Sequence, residues 1–481
     1  MSLADFIQVH AEDDPVRLLL SRDKLQERYP DLDLDLAVTT LEVRRKLRNK
    51  VPEWYAVPSL VYPSRLSGEQ CSSSETARYK ALVAVTMVSG GSVVPKPSLR
   101  DPSQNKFWAP RRVGERGPRK SLDFWGGLAE GGHRFWDHTA PGNERCRIAD
   151  LTGGMGVDAW AFAQVAGEVL YNEMQGELER ATELNFRELG VENVQFGNRK
   201  VEPGKVKEVL DGFEPDLIYL DPARRAEDGR KVFLIEDCRP DVLALQPELF
   251  EASRFVMLKL SPMADISMAC KRLEHVREVH VVASGGECKE LLFVLDREWE
   301  GLHSVVVVEG GTVMEIPGHP STSSGTAGND GGRHGRPDRP SHDVRYGVPK
   351  SGNLLFEPGK ALAKAGAFGL PCERFGMTKL GLHTHLYVGE AVPEGLEPYG
   401  KWFEVLEVLP LNNRTMKEIG KRYPQAEVTA RNIPMTSDVL RRKIGCVSGG
   451  DVHLFGVRMD GVAEAGNYLM ITKRNIDHGN D

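Results

Sequence analysis

Between residues 146 and 300 the apolar positions fall into short runs separated by amphipathic stretches. That alternation predicts strands of a parallel sheet with helices packed on its faces. The runs are Ile148-Ala149-Asp150, Val169–Glu173, Asn193–Asn198, Pro215–Leu220 and Phe255–Leu260, then a closing antiparallel pair at Val279–Ala283 and Leu291–Leu295. Gln175–Phe186 has helical periodicity and stops near Gly190. Residues 1–94 have helical patterning, with Leu18, Leu19 and Leu20 and the basic run Arg44–Lys50. Residues 95–145, rich in Pro, Gly, Arg and Trp, predict a loop-rich segment that covers the sheet domain or stays mobile. A Ser-, Gly- and Pro-rich stretch over 317–345 cannot form a core and predicts a disordered insert. Small α+β regions are expected over 348–400 and 401–475.

The candidate chemistry starts where the first run ends. Asp150-Leu151-Thr152-Gly153-Gly154-Met155-Gly156-Val157-Asp158 is an acid-tipped strand end, a glycine-rich turn and a helix start. Such a turn builds a nucleoside-binding crevice, because glycines let the backbone approach a ligand closely. Gly154–Ala159 also satisfies the loose dinucleotide pattern G-x-G-x-x-G/A. Asp150 tips the balance between the two ligands. A carboxylate at that point suits the ammonium of S-adenosylmethionine and would repel a pyrophosphate. The second run ends in Glu173, 23 residues after Asp150, where an acceptor for two ribose hydroxyls belongs. Met174 follows it, and Asn198 ends the third run where an adenine-edge contact would sit. A solvated helix start for Glu173 and an ordinary turn for Asn198 are the competing readings.

The fourth run enters Asp221-Pro222-Ala223-Arg224-Arg225. Proline biases the residue before it toward extended backbone, so Asp221 and a nearby carbonyl can aim outward. Two acceptors on one exocyclic amine would turn the nitrogen lone pair toward a sulfonium methyl. Amino-methylating enzymes usually carry D-P-P-aromatic here. Ala223 replaces the second proline, and Arg224 replaces the aromatic. Its guanidinium can stack on a base or hold a phosphate, or Arg224 and Arg225 are a surface ion-paired set. Cys238 and Cys288 lie too far along to serve obviously as a nucleophile and are expected as small buried hydrophobes.

At 481 residues the chain exceeds one core, so three or four domains are expected. A net charge of −7 argues against a strongly basic histone-like binder, while leaving local basic clusters free to bind RNA. Seven cysteines without metal-type spacing suggest reduced thiols and a cytoplasmic protein without a metal. No signal peptide and no membrane-spanning run is visible.

Taken in order, several segments resemble one bacterial family, the class I S-adenosylmethionine-dependent methyltransferases with a ferredoxin-like domain and a THUMP-like C-terminal domain. They are Gln70-Cys71-Ser72-Ser73, Glu75–Lys80, Asp150–Asp158, Asp221–Arg224, Lys259–Met263 and Glu287–Glu290, then Glu357-Pro358, His383–Tyr387, Arg431–Pro434 and Gly449-Gly450-Asp451. The resemblance implies a Rossmann-like α/β methyltransferase sheet behind an N-terminal helical region, with a ferredoxin-like domain at 348–400 and a THUMP-like domain at 401–475. It implies a cofactor site of Asp150, Thr152, Gly153, Gly154, Gly156, Asp158, Glu173, Met174 and Asn198. Asp221, Pro222 and Arg224 would be catalytic, acting on a base amine of rRNA or tRNA. THUMP domains accompany RNA-modifying enzymes, so RNA is the implied partner, with Arg431, Asn432, Arg441 and Arg442 as candidate phosphate contacts. Those cations are otherwise a solvated helix face. His383 and His385 are expected on one face of a strand with a structural role. Methylation of protein or a small molecule, or non-catalytic RNA binding, are the alternative functions.

Overall fold

Short polar residues start most helices of the N-terminal region, as their side chains satisfy the first free amides. Ser2 and Asp5 form a reciprocal capping box before Leu3–Val9. Asp14, Asp33, Ser64 and Ser73 cap Pro15–Leu20, Leu34–Lys50, Arg65–Gln70 and Ser74–Val88. The structure is a computed structural model that describes residues 2–91, 145–223, 235–318, 344–462 and 465–474. The Arg224 position, residues 95–144 of the loop-rich segment and 319–343 of the predicted insert lie outside the described residues.

Two compact units make up the chain. In the first, Phe6, Ile7, Leu18, Leu34, Val38 and Leu41 form the core of the helical region. In the basic run of the long helix, Lys46 and Arg48 are exposed while three other cations bond to their neighbours. Arg44 donates to the Val57 carbonyl at 2.8 Å, Arg45 to Ala11 at 2.8 Å, and Lys50 to Glu69 at 2.7 Å. Asn185 docks this region on the sheet domain by exchanging two hydrogen bonds with the Val61 backbone, at 2.7 and 2.8 Å.

The sheet strands are β1 (Arg147–Asp150), β2 (Glu168–Asn172), β3 (Val194–Gly197), β4 (Leu217–Leu220), β5 (Phe255–Leu260), β6 (Val276–Ser284) and β7 (Glu287–Asp296). They lie in the order β3-β2-β1-β4-β5-β7-β6. β1 pairs in parallel with both β2 and β4, β2 with β3 and β4 with β5, while β7 runs antiparallel to β5. The chain order reverses between β1 and β4, and a crevice opens at such a switch point. This is the α/β architecture read from the sequence. Its strands are nearly all buried, which explains their continuous apolar runs.

The second unit holds the antiparallel hairpin of β8 (Ser304–Glu309) and β9 (Thr312–Ile316). Its seven-stranded sheet comprises β10 (Leu354–Pro358), β11 (Thr378–Lys379), β12 (Tyr387–Gly389), β13 (Gly400–Pro410), β14 (Glu427–Arg431), β15 (Val452–Met459) and β16 (Gly466–Arg474). The order is β11-β12-β10-β13-β16-β15-β14. β10 pairs with β13 from Leu354↔Glu404 to Pro358↔Gly400, so the two regions expected at 348–400 and 401–475 share one sheet. Each would otherwise present an open strand edge. Helices Asn413–Arg422 and Ser437–Ile444 cover the far half through Met416, Ile419, Leu440 and Ile444. A Cβ on Gly420 would meet the Ile444 carbonyl at 1.9 Å, so glycine permits the close helix crossing.

One local expectation is corrected here. His383 and His385 precede β12 and lie outside any strand, so they do not share a strand face. His385 stacks on Phe368 at 3.6 Å and 15°, and burial pulls its pKa down to about 4, leaving a neutral ring. Among the described residues no group of three or more His, Cys, Asp or Glu could hold a metal, and no helix is long and apolar enough to cross a membrane.

Candidate active site

The glycine turn is shaped by contacts that leave no room for other side chains. A Cβ on Gly153 would lie 2.1 Å from the Tyr171 ring, and one on Gly156 2.6 Å from Thr182. Gly156 also has φ +83, a conformation that favours glycine. Tyr171 donates its hydroxyl to the Gly154 carbonyl at 2.5 Å, tying the turn to β2. Glu173 fixes the other side. Its two carboxylate oxygens accept the Gly154 amide at 3.0 Å and the Gln175 amide at 2.8 Å. Asn198 donates to the Glu173 carbonyl at 2.6 Å, and Met174 beside it is 60% exposed. Glu173, Met174 and Asn198 therefore come together next to the turn.

Asp150 is buried at the end of β1. One oxygen accepts the Thr152 amide at 3.1 Å; the other has no hydrogen-bond partner among the described residues. Burial pushes its carboxyl well above the ordinary range, and Asp158, Asp221 and Glu173 add to that against the Thr152 amide. A group raised in the folded chain loses stability as pH climbs from the ordinary carboxylate value through the raised one. Asp150→Asn keeps the acceptor for Thr152 and removes the charge. It should stabilise the ligand-free chain by about 1–3 kcal/mol at pH 8 and much less at pH 4. Urea denaturation at both pH values measures this, and a loss at pH 8 would refute the uncompensated charge.

Asp158 begins the helix Val157–Ala163 and is also buried. Its carboxylate accepts Ser72 and Tyr219 hydroxyls, each at 2.9 Å, and pairs with Lys80 at 3.1 Å. Burial raises this carboxyl, but Lys80, Lys259 and the donors outweigh burial and bring it below its ordinary value. Asp158 thus holds the turn's helix to the N-terminal helix Ser74–Val88; its Oδ2 takes both hydroxyls, and its Oδ1 faces Lys80 as an ion pair without a hydrogen bond.

Asp221 follows β4. Its amide donates to the Thr152 hydroxyl at 2.6 Å, joining the two loops of the crevice, and its carboxylate pairs with Lys259 of β5. Pro222 is buried, and Ala223 bridges to Arg239 at 2.6 and 3.1 Å. The sequence reading had not placed Ser72, Lys80 or Lys259 in the site. A usable signal existed, since Lys259 interrupts the apolar run Phe255–Leu260 and Lys80 falls among Ala77, Tyr79, Ala81 and Val83. A lysine at such positions needs a buried partner.

In the second unit, Arg431 pairs with Glu357 at 2.5 Å and Arg441 pairs with Asp438. Asn432 has φ +59 just past β14. Arg442 and Lys443 are exposed, as are Arg414, Lys417 and Lys421, which had not been singled out. Cys238 is buried, as expected, and burial pushes the half-exposed Cys288 thiol up to about 11.

The comparisons with known proteins agree with this layout. A ferredoxin-like domain model matches residues 354–395, and a THUMP domain-like model matches 400–477. A Porphyromonas gingivalis W83 protein, whose crystal structure carries the provisional description methyltransferase, is 26% identical. The likeness covers 98% of this chain and 97% of that one, with a TM-score of 0.70. Over nearly its whole length the chain is thus similar to that protein, and its C-terminal part matches ferredoxin-like and THUMP-like domains. The chain also matches an uncharacterized RNA methyltransferase of Fusobacterium nucleatum, with 29% identity over 123 residues. That match covers 24% of this chain and 26% of the relative, so the chain spans about a quarter of the relative's length.

Proposed function

We propose that this chain is a methyltransferase that uses S-adenosylmethionine and acts on RNA, at an exocyclic amine of a base in rRNA or tRNA. The observation that carries the cofactor reading is Asp150, whose buried oxygen, without a hydrogen-bond partner among the described residues, lies in an acid-rich crevice at a glycine turn. A ligand with an ammonium group fits that oxygen; a pyrophosphate does not. Asp150, Thr152, Gly153, Gly154 and Gly156 would hold the amino acid end, and Glu173, Met174 and Asn198 the nucleoside. Asp158 would act through the turn it anchors. The bound cofactor would supply an electrophilic methyl on sulfonium, whose transfer makes a carbon–nitrogen bond, leaves the carbon–sulfur electron pair on sulfur and frees one proton from nitrogen.

Asp221 would accept an N–H of the amine and take up that proton, with Pro222 fixing its backbone. Arg224 would stack on the base or hold a phosphate. RNA would be gripped by the second unit, where Arg442 and Lys443 are exposed and Arg431, Asn432 and Arg441 are close in sequence. The THUMP-like match and the RNA methyltransferase relative support this assignment.

Calorimetry tests the cofactor. S-adenosylmethionine should bind one to one, and Glu173→Ala should weaken it by roughly tenfold or more, since a hydrogen bond to a charged group is worth ~1.5–3 kcal/mol. Unchanged affinity, or preference for NAD, would sink the assignment.

A further inference from the structure

The ion pair between Lys259 and Asp221 sets what kind of acceptor the crevice can take. Four carboxylates meet here, on Asp150, Asp158, Glu173 and Asp221, and among the described residues the ammonium groups of Lys80 and Lys259 answer them. Lys80 is committed to Asp158 and Ser72, both on the side of the N-terminal helix. Lys259 is committed to Asp221, with its side chain 11% exposed and that of Asp221 31% exposed. The pair is therefore shielded from water on the lysine side and open on the aspartate side. Thr152 holds the Asp221 amide and so fixes the main chain beside the glycine turn, while Lys259 holds the carboxylate.

We propose that Lys259 is a specificity-determining residue that neutralises Asp221, so that the acceptor is an uncharged N–H donor and never an aliphatic ammonium. This rests on the cofactor reading above. An unpaired Asp221 in this acid-rich crevice would attract the protonated amine of a lysine side chain or a protein N-terminus. A protonated amine has no lone pair to attack with, so capture of one would block transfer. A nucleobase amine is uncharged, and the carboxylate oxygen left by Lys259 can accept one of its N–H groups. The balance stays that of amine methylation, with the freed proton passing from nitrogen to Asp221 and then to water.

Sinefungin reads the charge preference without turnover. It is a cofactor analogue in which a carbon bearing an amine, protonated at neutral pH, replaces the methylsulfonium. Its affinity is compared by calorimetry with that of S-adenosylhomocysteine, which has neither charge there. On the full chain the ratio of the two dissociation constants should be close to one. Lys259→Gln should shift it toward sinefungin by roughly tenfold or more, because the carboxylate is no longer neutralised. Lys259→Arg should leave it unchanged. Asp221→Asn, which keeps the lysine, should shift it by a similar factor the opposite way. An unshifted ratio in both Lys259→Gln and Asp221→Asn would overturn the proposal. Failure of the wild-type chain to bind either compound would instead overturn the cofactor reading and this inference with it.

Discussion

Lys80→Met is expected to destabilise the chain by about 3–5 kcal/mol at pH 7, the usual cost of leaving a buried ion without its partner. Lys80 is fully buried, donates to Ser72 at 2.9 Å and pairs with Asp158 at 3.1 Å. Asp158 keeps a lowered carboxyl only because Lys80 and Lys259 overcome its burial. A lowered folded-state value contributes stability above the ordinary carboxylate value, and that stability is lost as pH falls through the folded one. The deficit of Lys80→Met should therefore be largest at neutral pH and shrink on acidification, as Asp158 takes a proton. Adding Asp158→Leu should recover much of the loss, because an apolar pair replaces the orphaned charge. Denaturant titrations of the single and double variants measure both effects. A single variant as stable as wild type at pH 7 would show that the buried network does not hold the turn.

Asp221→Ala should abolish methyl transfer, by roughly hundredfold or more, while both ligands still bind. In the proposed mechanism the carboxylate orients the amine, and positioning is most of what an in-line transfer asks of the protein. Asp221→Ala removes the carboxylate that answers the Lys259 ammonium, so affinity for the cationic cofactor should fall by roughly tenfold, and transfer is therefore compared at saturating S-adenosylmethionine. Its backbone bond to Thr152 uses the amide and survives the substitution. Single-turnover transfer to RNA, with calorimetry as the control, separates the two effects. Turnover at the wild-type rate would discard amine orientation and favour carbon or ribose methylation.

The sheet was legible because its strands are buried on both faces and read as uninterrupted apolar runs ending in polar residues. The glycine turn was legible for a similar reason, since Gly153 and Gly156 sit where no side chain fits. The partners of the site acids were not legible. Ser72 and Lys80 lie 86 and 78 residues before Asp158, and nothing local in the sequence joins them. The direction of the side chains in the basic run Arg44–Lys50 was not legible either. A charge run counts cations without showing where they point, and Arg44, Arg45 and Lys50 donate to backbone carbonyls. His383 and His385 were read as a strand because they alternate, but their segment turns before β12 begins at Tyr387. Alternation over three residues is too short to fix a strand.

Nucleoside mass spectrometry of RNA treated with the purified chain and methyl-labelled S-adenosylmethionine tests the central claim most directly. RNA taken from cells lacking this protein should gain label in one nucleoside, on a base nitrogen, and the Asp221→Ala chain should add none. Label in protein or small molecules with none in RNA, or no label anywhere, would contradict an RNA methyltransferase.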